Sequence, residues 1–211
     1  MSEPLTNLSE PLTNLNVPLA NLSVPLAKKA LIVLLLQNDY IDIIYYGNQK
    51  LTNNIALINK YKKQFDQVIF IKDWYPSDHI IYKNALNKFC VKNTGGADLS
   101  SILEYNNRDH ILHINTLNLY TSDSAFYNAK SLTVTTESHL KSILDENKIT
   151  QIYLCGITLE QQIFSTAYDA MNLGYQCYIV EDLSCGKDIK KAENCLLFLK
   201  NMGVKIIKHN S

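Results

Sequence analysis

The side chains that could do chemistry in this chain are a few carboxylates, imidazoles and thiols. Asp73 and His79 lie together in the stretch IKDWYPSDHIIY (71–82) and could offer an oxygen and a nitrogen to a metal ion. A zinc or iron site needs a third or fourth ligand, so these two residues alone predict no metal site. We expect Asp73 to be a loop carboxylate that caps backbone N–H groups, and His79 to be a hydrogen-bonded loop histidine.

A thiol nucleophile is the second kind of chemistry to consider. The chain has an odd number of cysteines without C-x-x-C spacing, which is typical of a reducing compartment: Cys90, Cys155, Cys177, Cys185 and Cys195. A catalytic thiol needs a nearby base. Cys155 ends an apolar run and is expected to point into the core, and Cys90 lies in a loop. A hydrolase that pairs one of these thiols with His79 or His113 is the alternative hypothesis.

The elements that must position these side chains alternate between strands and helices. Short apolar runs predict buried strands at 30–36, 67–72, 110–114, 151–155, 176–180 and 204–207. Helical spacing is found at roughly 51–65, 137–147, 160–173 and 188–202. Such alternation indicates right-handed βαβ units and a parallel sheet covered on both faces, with ligands bound outside the carboxyl ends of the strands.

Length and charge narrow the class of protein. With 211 residues the chain is long enough for one α/β domain, and its 20 basic and 20 acidic residues balance. A chain without net charge has no long-range electrostatic field that would attract nucleic acid or an anionic membrane surface. No apolar run approaches the ~20 residues of a membrane span, and no signal peptide is evident. We therefore predict a cytoplasmic protein with no nucleic-acid or membrane partner.

The first 29 residues differ from the rest, which suggests an extension (1–29) before a globular domain (30–211). Residues 2–29 repeat as SEPLTNL, SEPLTNL, NVPLANL and SVPLAKK, with a proline in every unit. A proline in each heptad disfavours a continuous helix, so extended structure is expected. The segment is either a disordered repeat expansion or a ladder of leucines that docks on another subunit.

Several stretches resemble one enzyme family. ALIVLLLQNDY (30–40), HINTLNLYTSDSAF (113–126) and CGITLEQQI (155–163) resemble active-site segments of the isochorismatase-like superfamily, especially its nicotinamidase branch. IKDWYPSDHIIY, CVKNTGGADL (90–99) and EDLSCG (181–186) resemble further segments of the same family in the same order. The resemblance implies a three-layer, doubly wound parallel sheet of about six strands in the order 3-2-1-4-5-6.

The resemblance also implies where the catalytic groups should be, and they are absent from those positions. Family members use an Asp as base, a Lys and a Cys nucleophile. The corresponding positions hold Leu35, Ile114 and Gln162, with Asn115 as an alternative to Ile114. Two histidines expected among the metal ligands are replaced as well, by the aromatic residues Tyr75 and Phe89.

We therefore predict a catalytically inactive isochorismatase-like protein that serves as an assembly subunit or binds a small molecule. Relatives are commonly oligomers, so a homo-oligomer or a place in a larger assembly is expected. The resemblance predicts a pocket for a nicotinamide-like ring among Asp39, Tyr40, Trp74 and Tyr75. No cofactor is expected. The alternative is an active nicotinamidase or other amidase with relocated catalytic residues.

Overall fold

The computed structural model describes residues 26–117, 120–131 and 133–210. Most of the proline and leucine repeat lies outside these residues, so the predictions about its conformation concern a part of the chain that the structure does not describe. The first described strand begins at Lys28 and leads straight into the core.

The described residues form an α/β structure built on a six-stranded sheet. Its strands are β1 (Lys28–Leu34), β2 (Gln67–Asp73), β3 (His110–Ile114), β6 (Ile149–Ile157), β7 (Gln176–Cys185) and β8 (Lys205–Ile207). A separate antiparallel pair consists of β4 (Tyr127–Ala129) and β5 (Thr135–Glu137). The six-stranded sheet is parallel throughout, in the order β3-β2-β1-β6-β7-β8. Without β4 and β5 in the count, this is the predicted order 3-2-1-4-5-6, which is confirmed.

Within the part of the chain that the structure describes, four α-helices pack against this sheet. They are α1 (Gln49–Tyr61), α2 (Leu140–Glu146), α3 (Phe164–Asn172) and α4 (Ile189–Asn201). Helices α1 and α3 both contact β7, while α2 contacts β6 and α4 contacts β8. Helix α1 begins where the side chain of Asn48 accepts a hydrogen bond from the N–H of Leu51, which satisfies one of the free donors of its first turn.

The central strands are apolar along their whole length because both faces of a covered parallel sheet are buried. From Ala30 to Leu36 every side chain is at most 2% exposed. The run 30–36 was predicted as one strand, but β1 ends at Leu34 and the chain turns at Leu35 with a positive φ. Leu35 and Leu36 are buried although they lie outside the strand, because the loops beyond the strand ends cover them.

Three features differ from the predicted elements. Strand β7 continues to Cys185, because an irregularity between Leu154 and Gly156 of β6 lets its last residues pair with Ser184 and Cys185. The helix predicted from residue 160 starts with a π-helical turn, Leu159–Ile163, before α3. The pair β4 and β5 was not predicted, since three-residue strands are too short to show a period.

No helix among the described residues is long and apolar enough to cross a membrane.

Gly156 on β6 lies directly against the backbone of Leu34 on β1. It has a φ of +113°, and a Cβ built there would lie 2.2 Å from the carbonyl oxygen of Leu34 on β1.

We predict that Gly156→Ala lowers the free energy of unfolding by roughly 3 kcal/mol or more, through a positive φ and a clash with backbone. Gly174→Ala is the control, because Gly174 has a φ of +88° but open space around it. Urea unfolding should show a loss of only about 1 kcal/mol for the control; equal losses would contradict the steric argument.

Candidate functional site

A small pocket opens beyond the carboxyl ends of β1 and β6, where an open α/β sheet binds its ligands. Its volume is about 200 Å³, smaller than the roughly 300 Å³ or more of drug-sized sites, so a single ring is the size of occupant it suits. It is lined by Leu35, Tyr40, Tyr75, Ile81, Phe89, Thr121, Asp123, Ile157, Thr158, Gln161, Gln162 and Lys187.

Two of the three predicted triad positions meet in this pocket. Leu35 and Gln162 line it, whereas Ile114 does not. Ile114 ends β3 with its side chain fully buried, in register with Asp73 on β2. The neighbouring Asn115, the alternative to Ile114, is also buried and has a positive φ.

The amide of Gln162 is folded back onto its own turn. Its Oε1 accepts hydrogen bonds from the hydroxyl of Thr158 and, at 3.4 Å, from the backbone N–H of Thr158. An amide has neither nucleophilic nor basic character, so the side chain at this position can orient a polar ligand but cannot attack it.

Asp73, at the end of β2, is the centre of a buried polar network behind the pocket. It is fully buried, and the hydroxyl of Tyr40 and the Nδ2 of Asn115 (2.6 Å) donate hydrogen bonds to its carboxylate. The Tyr75 side chain is a further hydrogen-bond partner. Gln37 binds the Asp73 backbone twice, as acceptor for its N–H and donor to its carbonyl, both at 2.8 Å. Asp73 was expected to be a loop residue that caps backbone N–H groups; instead side chains from three segments satisfy it.

Burial determines the protonation of Asp73. Desolvation raises its pKa from the ordinary 3.8 to about 6, while the hydrogen bonds from Tyr40, Asn115 and Tyr75 partly counteract the rise. The carboxylate is thus ionised at neutral pH and held by neutral donors. Within the part of the chain that the structure describes, no Lys, Arg or His forms an ion pair with it.

His79 is committed to backbone contacts. It is buried, its Nδ1 accepts from the N–H of Ile81 at 3.1 Å, and its Nε2 lies 3.3 Å from the carbonyl oxygen of Tyr120. Burial lowers its pKa, so the neutral ring with a protonated Nε2 fits both contacts. This is the hydrogen-bonded loop histidine that was expected.

The residues around Asp73 do not fit a metal ion. Hydroxyl and amide donors already occupy its carboxylate oxygens, and Tyr75 and Phe89 bring aromatic rings to the positions where the resemblance places ligand histidines. In residues 26–117, 120–131 and 133–210, no group of three or more His, Cys, Asp or Glu could hold a metal.

The thiols proposed as relocated nucleophiles lie outside the pocket. Cys90 and Cys155 are fully buried, and burial raises the pKa of both well above the ordinary value. His113, a suggested base, stacks on Trp74 with ring centroids 4.1 Å apart. The described lining residues therefore include neither a thiol nor an imidazole.

Of the four residues predicted to form a ligand pocket, Tyr40 and Tyr75 line it, whereas Asp39 and Trp74 do not. The Asp39 carboxylate accepts a hydrogen bond from the N–H of Cys90 at 2.6 Å and so holds the loop that carries Phe89. The Trp74 ring stacks on His113, and the Nζ of Lys72 lies 4.5 Å from its centroid.

Among the lining residues that were not singled out from the sequence, three have a charged or amide side chain: Asp123, Gln161 and Lys187. Asp123 and Gln161 stand inside segments that carry the family resemblance, and Lys187 directly follows EDLSCG. A charged or amide side chain within or beside such a segment is the signal that could have identified them.

The raised pKa of Asp73 predicts a stability change with pH. Since its folded pKa lies above 3.8, the folded state binds more protons between pH 4 and 6, so stability falls as pH rises through this range. Asp73→Asn should remove a difference in unfolding free energy of roughly 2 kcal/mol between pH 4.5 and pH 7. Urea unfolding at pH 4.5 and 7 measures it, with Asp42→Asn, an exposed carboxylate outside the pocket, as control. Identical slopes for wild type and Asp73→Asn would show that Asp73 titrates normally.

Comparison with known proteins places this geometry in a family. The isochorismatase domain family matches residues 29–211. The nicotinamidase of Schizosaccharomyces pombe is 24% identical over 209 residues, covering 84% of this chain and 92% of that protein. The nicotinamidase of Acinetobacter baylyi is 27% identical, covering 72% and 79%.

Solved structures share the fold. The pyrazinamidase of Pyrococcus horikoshii in complex with zinc aligns with a TM-score of 0.72 and 25% identity, covering 86% of this chain and 99% of that one. The L. infantum PnC1 in complex with nicotinate aligns with a TM-score of 0.76 and 22% identity, covering 87% and 94%. With the parallel sheet, its strand order and the pocket at the ends of β1 and β6, these matches lead to one conclusion: the chain belongs to the isochorismatase family, with nicotinamidases among its relatives.

Proposed function

We propose that this protein binds a small nitrogen-heterocyclic amide of the nicotinamide type without hydrolysing it. The observation that carries the proposal is the lining of the pocket: Leu35 and Gln162 stand where the resemblance predicts the base and the nucleophile. Acyl transfer needs a nucleophile activated by a base, and neither side chain can take either role.

The walls of the pocket suit a flat ring. Tyr40 and Phe89 have ring centroids 5.7 Å apart, and Tyr75 and Phe89 have centroids 5.8 Å apart, so the three rings pack as one aromatic group. Gln161 and Gln162 supply amide groups to the same pocket, and the Thr158 backbone lies beside them. Apolar walls with a few polar groups are the usual composition of a small-molecule site.

The relatives support the type of ligand. Besides the L. infantum structure with nicotinate, the yeast nicotinamidase Pnc1p has been solved with the inhibitor nicotinaldehyde. Both ligands are pyridine rings with one carbonyl substituent. A pocket in the same place of the same fold, at a volume of about 200 Å³, supports a ring of that size here.

We predict that purified protein releases no ammonia from nicotinamide, since loss of nucleophile and base together costs about 10⁶ in rate. Nicotinamide at one hundred times its Kd should still stabilise the fold by about 2.7 kcal/mol, seen as a rise in Tm. Phe89→Ala should abolish that rise. Phe198→Ala, on the exposed surface of α4, should retain it.

Gln162→Cys tests the reason for inactivity. We expect no hydrolysis from this variant, because Leu35 and Ile114 leave the new thiol without a base or a cation. Turnover by the wild-type protein that is blocked by thiol alkylation would instead establish the active hydrolase.

A second proposed role is as a subunit of an assembly. Helices α3 and α4 contact each other, and both expose apolar side chains: Tyr168, Leu197 and Phe198 are 40%, 60% and 49% exposed. Exposed apolar residues in one place are typical of a contact surface. The proline and leucine repeat of residues 2–29 could provide a second contact with another chain.

Removal of residues 2–27 separates the contribution of the repeat from that of the domain. We predict that the truncated protein keeps the circular dichroism spectrum of the full chain but has a lower association state by analytical ultracentrifugation. Burial of four leucines would contribute about 6 to 10 kcal/mol before the cost of ordering the segment. An unchanged association state would assign the repeat no role in assembly.

A further inference from the structure

We infer that the pocket prefers a positively charged flat heterocycle, such as an N-alkylated pyridinium, to a neutral or an anionic one. This inference rests on the proposed function, because it concerns the ligand of the same pocket. It goes further by naming the charge of the ligand.

A buried negative charge lies behind the aromatic wall of the pocket. The carboxylate of Asp73 is fully buried, and the hydroxyl of Tyr40, a lining residue, donates a hydrogen bond to it. Its other side-chain partners, Asn115 and Tyr75, are neutral too, so the described residues bring no cation to balance this charge. A buried charge is screened less than an exposed one, so its field extends into the pocket.

The aromatic rings that line the pocket can themselves attract a cation. Tyr40, Tyr75 and Phe89 surround one small space, which is the composition of sites that hold organic cations by cation–π attraction. A phenol that donates its proton to a carboxylate also gains electron density in its ring. The hydrogen bond from Tyr40 to Asp73 therefore strengthens the attraction of that ring for a cation.

The charged side chains among the lining residues are exposed. Leu35 and Ile114 contribute no positive group to the inner end of the site. Asp123 and Lys187 line the pocket from exposed positions and carry opposite charges. Asp123 is close enough to interact electrostatically with Asp73, which adds to the negative potential. Lys187 is surrounded by water and is screened by salt.

Titration calorimetry of the full chain at pH 8 with three probes of similar size tests the inference. The probes are 1-methylnicotinamide, a permanent cation, nicotinamide, which is neutral, and nicotinate, an anion. We expect the cation to bind about tenfold more tightly than nicotinamide, with an advantage that shrinks as salt is added. Nicotinate should bind at least about tenfold more weakly than nicotinamide.

Variants locate the charge that matters. Asp73→Asn should bring the cation and nicotinamide to within about threefold of each other, and Asp123→Asn should reduce the advantage by a smaller factor. Asp42→Asn, which removes the same charge from an exposed site outside the pocket, should leave the tenfold ratio unchanged. If Asp73→Asn does not fold, the affinities of the wild-type protein for the three probes still test the charge preference.

The outcomes separate the two proposals. If nicotinamide binds as tightly as the cation, the charge preference is overturned and the proposed function stands. Tightest binding of nicotinate would overturn it as well and identify Lys187 as the dominant charge. Failure of all three probes to bind would overturn both proposals.

Discussion

The hydrogen bonding of one buried carboxylate, that of Asp73, organises the pocket end of this molecule. An ionised carboxylate out of contact with water costs several kcal/mol unless its oxygens are hydrogen-bonded. Asp73 obtains its partners from Tyr40 after β1, Tyr75 after its own strand and Asn115 after β3. Gln37 ties the backbone of the same residue to the exit of β1. The loops beyond three adjacent strands are therefore held together at one point.

The same contacts explain why the pocket is aromatic. The hydroxyls of Tyr40 and Tyr75 face Asp73, and the rings that carry them border the pocket with Phe89. The Asp39 carboxylate supports this arrangement from outside, because it holds the N–H of Cys90 next to Phe89. Polar groups point to the buried carboxylate and apolar surfaces to the ligand, so one set of residues stabilises the fold and shapes the site.

The central strands could be predicted because their burial is uniform. The apolar runs of β1 and β6 identify central strands, and their parallel pairing follows from the helical segments between them. The extension of β7 to Cys185 depends on an irregularity in its neighbour β6, which no local pattern in residues 176–185 reveals. The π-helical turn before α3 likewise depends on packing at the end of β6, because a period of 3.6 describes only regular helices.

Residue type alone determined that Leu35 and Gln162 can act neither as a base nor as a nucleophile, since their side chains lack such groups in any conformation. Which side chains surround a ligand was decided by the tertiary structure. Trp74 and Tyr75 are neighbours in the chain, yet the ring of Trp74 stacks on His113 while Tyr75 faces Asp73 and the pocket. From the sequence, Asp73 was expected to be a loop carboxylate. In the folded structure Tyr40 and Asn115, both distant in the chain, donate hydrogen bonds to it. Side-chain direction and desolvation depend on such distant partners, and only folding brings those partners together.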